Sequence, residues 1–162
     1  FPLDNGGRAP LAVAGGYGVA PLSFLARRIG RAGVLLAGAR GAADLLCLDD
    51  FQNAGWEVRV ATQDGSRGAR GLVTDLLDAW LAAHPGVPPE IYACGPDGML
   101  RAVGTRASAA GARAWLSLDK HMVCGVGACL ACVQRLRRPD GSEWIGRVCH
   151  DGPVFEAREI VW

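Results

Sequence analysis

The most specific chemistry in the chain lies in four cysteines near its end, Cys124, Cys129, Cys132 and Cys149. Their spacing is C-x4-C-x2-C, with sixteen residues between Cys132 and the fourth thiol. Thiolates in this arrangement hold a [2Fe–2S] cluster. Such a cluster is bulky and has to be wrapped by backbone. Gly125, Gly127 and Ala128 let the chain curl close, so that amides can face the sulfurs and tune the potential. Structural zinc also takes four thiolates and is the competing reading, but it usually pairs its ligands as two C-x-x-C knuckles, and only one such pair exists here. His121 and His150 flank the outer cysteines. A Rieske centre needs two histidines on one iron, in spacings this chain lacks, so both read as surface or supporting residues. Cys47, in what reads as an apolar helix, is expected to be a small core residue. Cys94 closes a strand at the edge where α/β proteins bind ligands, which leaves a site role and a packing role both open.

A second chemical feature is the run Leu11-Ala12-Val13-Ala14-Gly15-Gly16-Tyr17-Gly18-Val19-Ala20-Pro21, which reads as strand, tight glycine turn and helix start. Glycines allow a backbone to approach a pyrophosphate, and a helix N-terminus offers free amides and positive potential. The loop is not a full G-x-G-x-x-G, since Pro21 stands where the third glycine would be. A turn that merely packs is the alternative. No acidic residue clearly ends the second strand; Arg40 occupies that neighbourhood, either to meet phosphate or adenine or as an exposed charge.

Positioning these groups requires a scaffold, and the first two thirds of the chain alternate short apolar runs with helical patterns. Strands are expected at Leu11–Gly15, Val34–Gly38, Glu57–Ala61 (near a sheet edge), Ile91–Cys94 and Ala112–Leu118. Helices are expected at Leu22–Ile29 (with Pro21 at its start and Gly30 as its stop), Ala42–Asn53, Leu72–Ala83 and Met99–Ala110. Strand–helix alternation predicts an α/β fold with a parallel sheet flanked by helices. After about Asp119 glycine and cysteine dominate, and Val133–Leu136 and Trp144–Val148 flank the turn Pro139-Asp140-Gly141 as a β-hairpin. The expected organisation is a nucleotide-binding α/β domain at 1–118 and a small β-rich cluster domain at 119–162, the latter with little core of its own and stabilised by its metal centre.

Composition narrows the class. Half of the 162 residues are hydrophobic, which supports a real core, and the formal charge of +1 comes without a long run of Lys or Arg. Neither nucleic acid nor a membrane is expected as partner. The first residues lack a signal-peptide pattern, and clustered cysteines suit a metal better than a disulfide framework, so the compartment reads as cytoplasmic. The chain has no initiator Met, which suggests a cut through a longer parent.

Gly15-Gly16-Tyr17-Gly18-Val19-Ala20-Pro21 and Cys94-Gly95-Pro96 resemble the nucleotide-site motifs of the ferredoxin-reductase superfamily. The tail, Met122-Val123-Cys124-Gly125-Val126-Gly127-Ala128-Cys129-Leu130-Ala131-Cys132 with Val148-Cys149-His150-Asp151-Gly152-Pro153-Val154-Phe155, is similar to electron-transfer subunits of NAD-dependent dihydroorotate dehydrogenase. The resemblance covers essentially the whole chain. It implies a parent with an FAD-holding barrel, an NAD domain and a C-terminal [2Fe–2S] segment. Electrons would pass between NAD and the flavin of a catalytic subunit that oxidises dihydroorotate to orotate, in a hetero-oligomer. On this reading Gly15, Gly16, Gly18 and Pro21 shape the nucleotide loop, Cys94, Gly95 and Pro96 line the nicotinamide–flavin junction, and Arg40 sits by the adenosine half. No side chain acts as acid or base.

Three departures are visible: the FAD barrel is absent, Asp119-Lys120-His121 stands where a Glu-containing stretch is expected, and Tyr17 enters the glycine loop. Without the barrel, this chain alone should bind nucleotide weakly and should not complete NADH-to-cluster transfer. Reductase subunits of hydrogenases or of NADH-dependent ferredoxin:NADP reductases are the nearest rival reading. A zinc-stapled interaction domain is the rival of another class.

Overall fold

The computed structural model describes residues 1–162. Its main sheet has seven strands in the order β4-β3-β2-β1-β5-β6-β9. These are β1 (Pro10–Gly15), β2 (Val34–Ala39), β3 (Glu57–Thr62), β4 (Ala69–Arg70), β5 (Glu90–Cys94), β6 (Arg113–Ser117) and β9 (Val154–Glu156). All neighbours pair in parallel except β9, which runs antiparallel to β6. The remaining strands, β7 (Val133–Arg137) and β8 (Glu143–Arg147), form the expected hairpin as a separate two-stranded sheet.

The helices are α1 (Val19–Arg28), α2 (Leu48–Asn53), α3 (Val73–Ala83), α4 (Asp97–Ala109) and a single turn, α5 (Val148–Asp151). Alternation along each strand divides the apolar residues between two layers. Leu11, Val13, Leu36, Ile91 and Ala93 meet Leu77 and Trp80 of α3 and Leu100, Val103 and Ala107 of α4. Ala12, Ala14, Leu35, Ala37 and Tyr92 meet Leu22 and Leu25 of α1 and Leu48 and Phe51 of α2. Strand order reverses at β1, whose neighbours are β2 and β5, and a crevice therefore opens beyond the carboxyl ends of β1 and β5.

The structure alters several local expectations. Residues 42–53 are not one helix: a 3-10 turn covers Ala42–Asp44, and α2 begins only at Leu48. Between them Cys47 has φ +53 and is exposed, so it is not a core residue. The anchors of this segment are Leu48 and Phe51, whose burial sets where the helix can begin. Pro21 is not the first helical residue either, because Gly16–Gly18 forms a 3-10 turn and α1 starts at Val19. A proline is tolerated there because a first-turn N–H has no intrahelical partner to lose.

The tail does not stand apart from the sheet. After the hairpin and α5 the chain returns to add β9 beside β6, pairing Leu116 with Phe155. Cys132, Leu136, Val148, Phe155 and Ile160 join the same apolar cluster as α3 and α4. The hairpin therefore shares the core of the main sheet and needs none of its own.

Candidate functional site

A cleft of about 1120 Å³ occupies the crevice at the carboxyl ends of β1 and β5. It is lined by the glycine loop, by Arg40 after β2, and by the Cys94-Gly95-Pro96 turn leading into α4. The structure thus brings together all eight residues expected to contact a nucleotide: Gly15, Gly16, Gly18, Pro21, Arg40, Cys94, Gly95 and Pro96. Tyr17 lines the same cleft with its side chain largely in solvent.

The glycines have separate jobs. A Cβ on Gly18 would lie 2.1 Å from the Cys94 carbonyl oxygen and 2.7 Å from the Gly95 nitrogen, so this position allows the loop to rest directly on the end of β5. Gly16 has φ +54, and nothing lies within 4 Å of the point a Cβ would occupy, which makes it a conformational requirement facing open space. Helix α1 has no side-chain cap and no acidic residue in its first turn, which leaves positive potential at the loop. Backbone that faces open space beside an uncapped helix start is the cradle a pyrophosphate needs. Arg40 is highly exposed, with Asp44 as an ion-pair partner at 3.9 Å. Cys94 is buried on the cleft floor, where burial pushes its thiol up and the Ser117 side chain works in the opposite direction.

The four clustered cysteines are arranged as two pairs. The Ala128 and Cys129 amides donate to Cys124 Sγ at 3.3 and 3.4 Å. The Cys129 amide is foremost among the groups drawing the Cys124 thiol down to about 6, and the Cys129 thiol adds to the effect. In the second pair the Cys149 amide donates to Cys132 Sγ at 3.4 Å and lowers that thiol. Cys149 is raised, first by the hydrogen bond between its thiol and Cys132. No three His, Cys, Asp or Glu side chains gather around one point as a single ion requires. Two thiol pairs with amides aimed at the sulfurs fit a binuclear cluster, which takes two protein thiolates on each iron, better than they fit one zinc.

Two braces hold this arm. The Arg147 guanidinium donates to the Gly127 carbonyl at 3.2 Å and to both oxygens of Asp151, at 3.0 and 3.1 Å. The Arg147 amide also donates to Asp151 at 2.8 Å, and Arg147 foremost holds that carboxyl well below the usual carboxylate range. The brace joins the first cysteine loop to the turn that carries Cys149. Gly127 fits against it closely, since a Cβ there would meet His150 Cβ at 3.0 Å. His150 is exposed and bonds Asp151 at 3.0 Å, so it supports the turn. The second brace is Lys120, which donates to Asp97 at the start of α4 at 2.6 Å. Met122 and Pro153, close in sequence to Cys124 and Cys149, both line the cleft. The bracing roles of Arg147, Asp151 and Lys120 were not legible in the sequence, although Asp151 lies in the tail motif and Lys120 in the Asp119-Lys120-His121 departure.

Residues 119–161 match the iron–sulfur cluster binding domain of dihydroorotate dehydrogenase B. Over 99% of its length the chain is similar to proteins named dihydroorotate dehydrogenase B (NAD(+)), electron transfer subunit. It is 36% identical to the one from Caldanaerobacter subterraneus subsp. tengcongensis and 40% identical to that of Bacillus caldolyticus. It spans 64% and 61% of their respective lengths. Among solved structures it resembles an NADH-dependent reduced ferredoxin-NADP oxidoreductase studied for flavin-based electron bifurcation. That match has a TM-score of 0.77 and 31% identity, and covers 95% of this chain and 54% of the other. No helix is long and apolar enough to cross a membrane.

Proposed function

We propose, from the chain's kinship with the electron-transfer subunits of dihydroorotate dehydrogenase B, that it is the NAD- and cluster-binding part of such a subunit. The observation that carries this is the pairing of Cys124 with Cys129 and of Cys132 with Cys149 on an arm whose flanks reach the nucleotide cleft. Residues 1–118 would serve the nucleotide and residues 119–162 the cluster, with FAD held mostly by the third of the relatives' length that lies outside this chain. The partner is a flavin-containing catalytic subunit that converts dihydroorotate to orotate in pyrimidine biosynthesis, within a cytoplasmic hetero-oligomer.

When bound, the cluster supplies one-electron steps between carriers that exchange electrons in pairs. The chain's own residues bind and orient. The glycine loop and the start of α1 receive the pyrophosphate, and Arg40 faces the adenosine half. Cys94, Gly95 and Pro96 form the floor against which the nicotinamide rests. The Ala128, Cys129 and Cys149 amides face thiolate sulfur and stabilise its negative charge. Lys120 ties the arm to the start of α4 and Arg147 ties its two cysteine-bearing segments to each other, which would hold the cluster at one distance from the cleft. The proposed transfer of electrons needs no general acid or base from the cleft.

The test is an ultraviolet–visible spectrum with iron, sulfide and zinc assays on anaerobically purified protein. About two irons and two sulfides per chain, with absorption bleached by dithionite, is the expected result. Colourless protein with stoichiometric zinc that resists iron–sulfide reconstitution would remove the electron-transfer reading and leave a zinc-stapled module. The likeness to the NADH-dependent ferredoxin-NADP oxidoreductase favours a second reading, a reductase subunit serving another redox partner, as in that enzyme or a hydrogenase. Failure of the full-length, FAD-loaded subunit to reduce NAD with dihydroorotate when combined with the catalytic subunit would favour it.

A further inference from the structure

The loop that carries three of the cysteine ligands is also where exposed apolar side chains concentrate. Met122, Val123, Val126, Leu130 and Val133 are all exposed, and no acidic or basic residue interrupts Met122–Val133. Isolated exposed hydrophobes need no explanation, but an uncharged run of them around a metal-binding loop does.

Leu130 is the informative member. It has φ +60, the left-handed region that branched L-residues avoid, and its side chain is 61% exposed. Where the same loop turns left-handed at Gly125 (φ +69) and Gly127 (φ +80), the chain uses glycine. Glycine at 130 would be free of that strain. The side chain gives nothing back to the fold, because Leu130 belongs to neither apolar cluster of the core. A hydrophobe kept in a costly conformation, pointing into solvent between Cys129 and Cys132, is placed for something outside the chain.

We propose that Leu130, supported by Val126 and Val123, is the anchor by which the cluster loop docks into an apolar, uncharged recess of the flavin-bearing catalytic subunit. The proposal rests on the electron-transfer reading above and names the contact through which it works. Among possible partners, only a redox protein gains from binding at the cysteine ligands themselves, since that contact brings its flavin nearest the cluster. The absence of charge from Met122 to Val133 argues for an apolar recess, because a neutral surface loses little solvation when covered. A buried aliphatic knob near the centre of such a contact is the kind of residue that dominates affinity.

The test uses the full-length subunit loaded with its cluster and the catalytic dihydroorotate dehydrogenase subunit of the same organism. Leu130→Gly and Val126→Ser are compared with wild type by titration calorimetry, cluster absorbance and NADH-dependent dye reduction. Expected is a Kd weakened about tenfold or more for Leu130→Gly and less for Val126→Ser, with absorbance and dye reduction kept within about twofold. A Leu130→Gly subunit that binds as tightly as wild type overturns the anchor while the electron-transfer reading survives. Loss of the cluster in that variant also overturns it, making Leu130 a cluster-packing residue. A cluster-loaded wild type that does not bind the catalytic subunit overturns the reading and the anchor together. A wild type that instead self-associates through Leu130 overturns the assignment of the partner.

Discussion

Gly18→Ala tests the claim that the nucleotide loop works by resting on the end of β5. The residue has ordinary helical dihedrals, φ −60 and ψ −10, so alanine meets no conformational objection there. What it meets is backbone. Its Cβ would lie 2.1 Å from the Cys94 carbonyl oxygen and 2.4 Å from the carbonyl carbon. Side chains essentially never approach within 3.0 Å, so the loop and β5 must separate by about 0.9 Å or more. No flexible side chain can yield, because both partners are main chain and β5 is held between β1 and β6. Overpacking of this kind costs about 1–3 kcal/mol, and alanine at an N-cap position adds a further fraction. The same displacement moves the loop amides from the pyrophosphate position, and losing one hydrogen bond to a charged group costs about 1.5–3 kcal/mol. Titration calorimetry with NADH should show binding weakened about 10- to 100-fold, and thermal melts a Tm lower by about 3–9 °C. Gly98→Ala on α4 is the control: nothing lies within 4 Å of its Cβ, and its melting should be unchanged or slightly higher. If Gly18→Ala bound NADH like wild type and melted at the same temperature, the loop would not be seated on β5 and the glycine would have no packing role.

Cys129→Ser should abolish the cluster absorbance while far-ultraviolet circular dichroism keeps its helical signal, because α1, α3 and α4 pack without that side chain. Arg147→Met removes the contact with the Gly127 carbonyl and the guanidinium bonds to Asp151, which keeps only the residue-147 amide and His150. The cluster should still assemble but bleach about tenfold faster in air, reflecting roughly 1–2 kcal/mol of lost tethering, as followed by the decay of visible absorbance. Glu90→Ala removes a fully buried carboxylate that accepts from Arg113 at 2.7 Å and Trp115 at 2.6 Å. Both arginines near it reach solvent, so the expected loss is about 2–3 kcal/mol, read as a Tm drop of roughly 5–10 °C. NADH affinity should be unchanged, since Glu90 begins the strand whose other end lies in the cleft.

What could be read from the sequence was whatever depends on neighbours along the chain. The spacing of Cys124, Cys129 and Cys132 and the glycines of Gly15–Gly18 are local, and so is the alternation that divides Leu11 and Val13 from Ala12 and Ala14. The hairpin was legible for the same reason, with Asp140 accepting from the Ser142 amide inside its turn at 2.9 Å. What stayed hidden depends on distant partners. Strand β9 is three residues long and exists because β6 is beside it, which no periodicity over Val154–Glu156 can reveal. The Arg147 brace is decided by where Gly127 arrives, twenty residues earlier in the chain. Cys47 reads as a core residue because Ala42–Asn53 looks like one apolar helix, whereas Leu48 and Phe51 alone are buried there. The left-handed backbone at Leu130 had no signal at all, since leucine is the wrong residue for it.

The return of the chain through β9 also bears on how electron transfer can work. A cluster on a freely tethered arm would sample many distances from the cleft. Here the segments on both sides of the four cysteines are fixed to the main body of the fold. On one side Lys120 is paired to Asp97 at the start of α4. On the other, Val154–Glu156 is hydrogen-bonded along β6, and Phe155 packs into the layer that holds Leu100 and Val103. Cys132 itself is buried in that layer, so one ligand is part of the core that supports the cleft. The Cys132–Cys149 pair therefore sits on the sheet side, while Cys129 is exposed and Cys124 partly so. A cluster held by these four thiolates would have Cys132 and Cys149 on the side of the main sheet and Cys124 and Cys129 toward solvent, next to Leu130. Electrons moving between a nucleotide held by the sheet and a partner docked on the loop would cross the site along that axis. On the proposed function, the two ends of the transfer would be met by different pairs of thiolates.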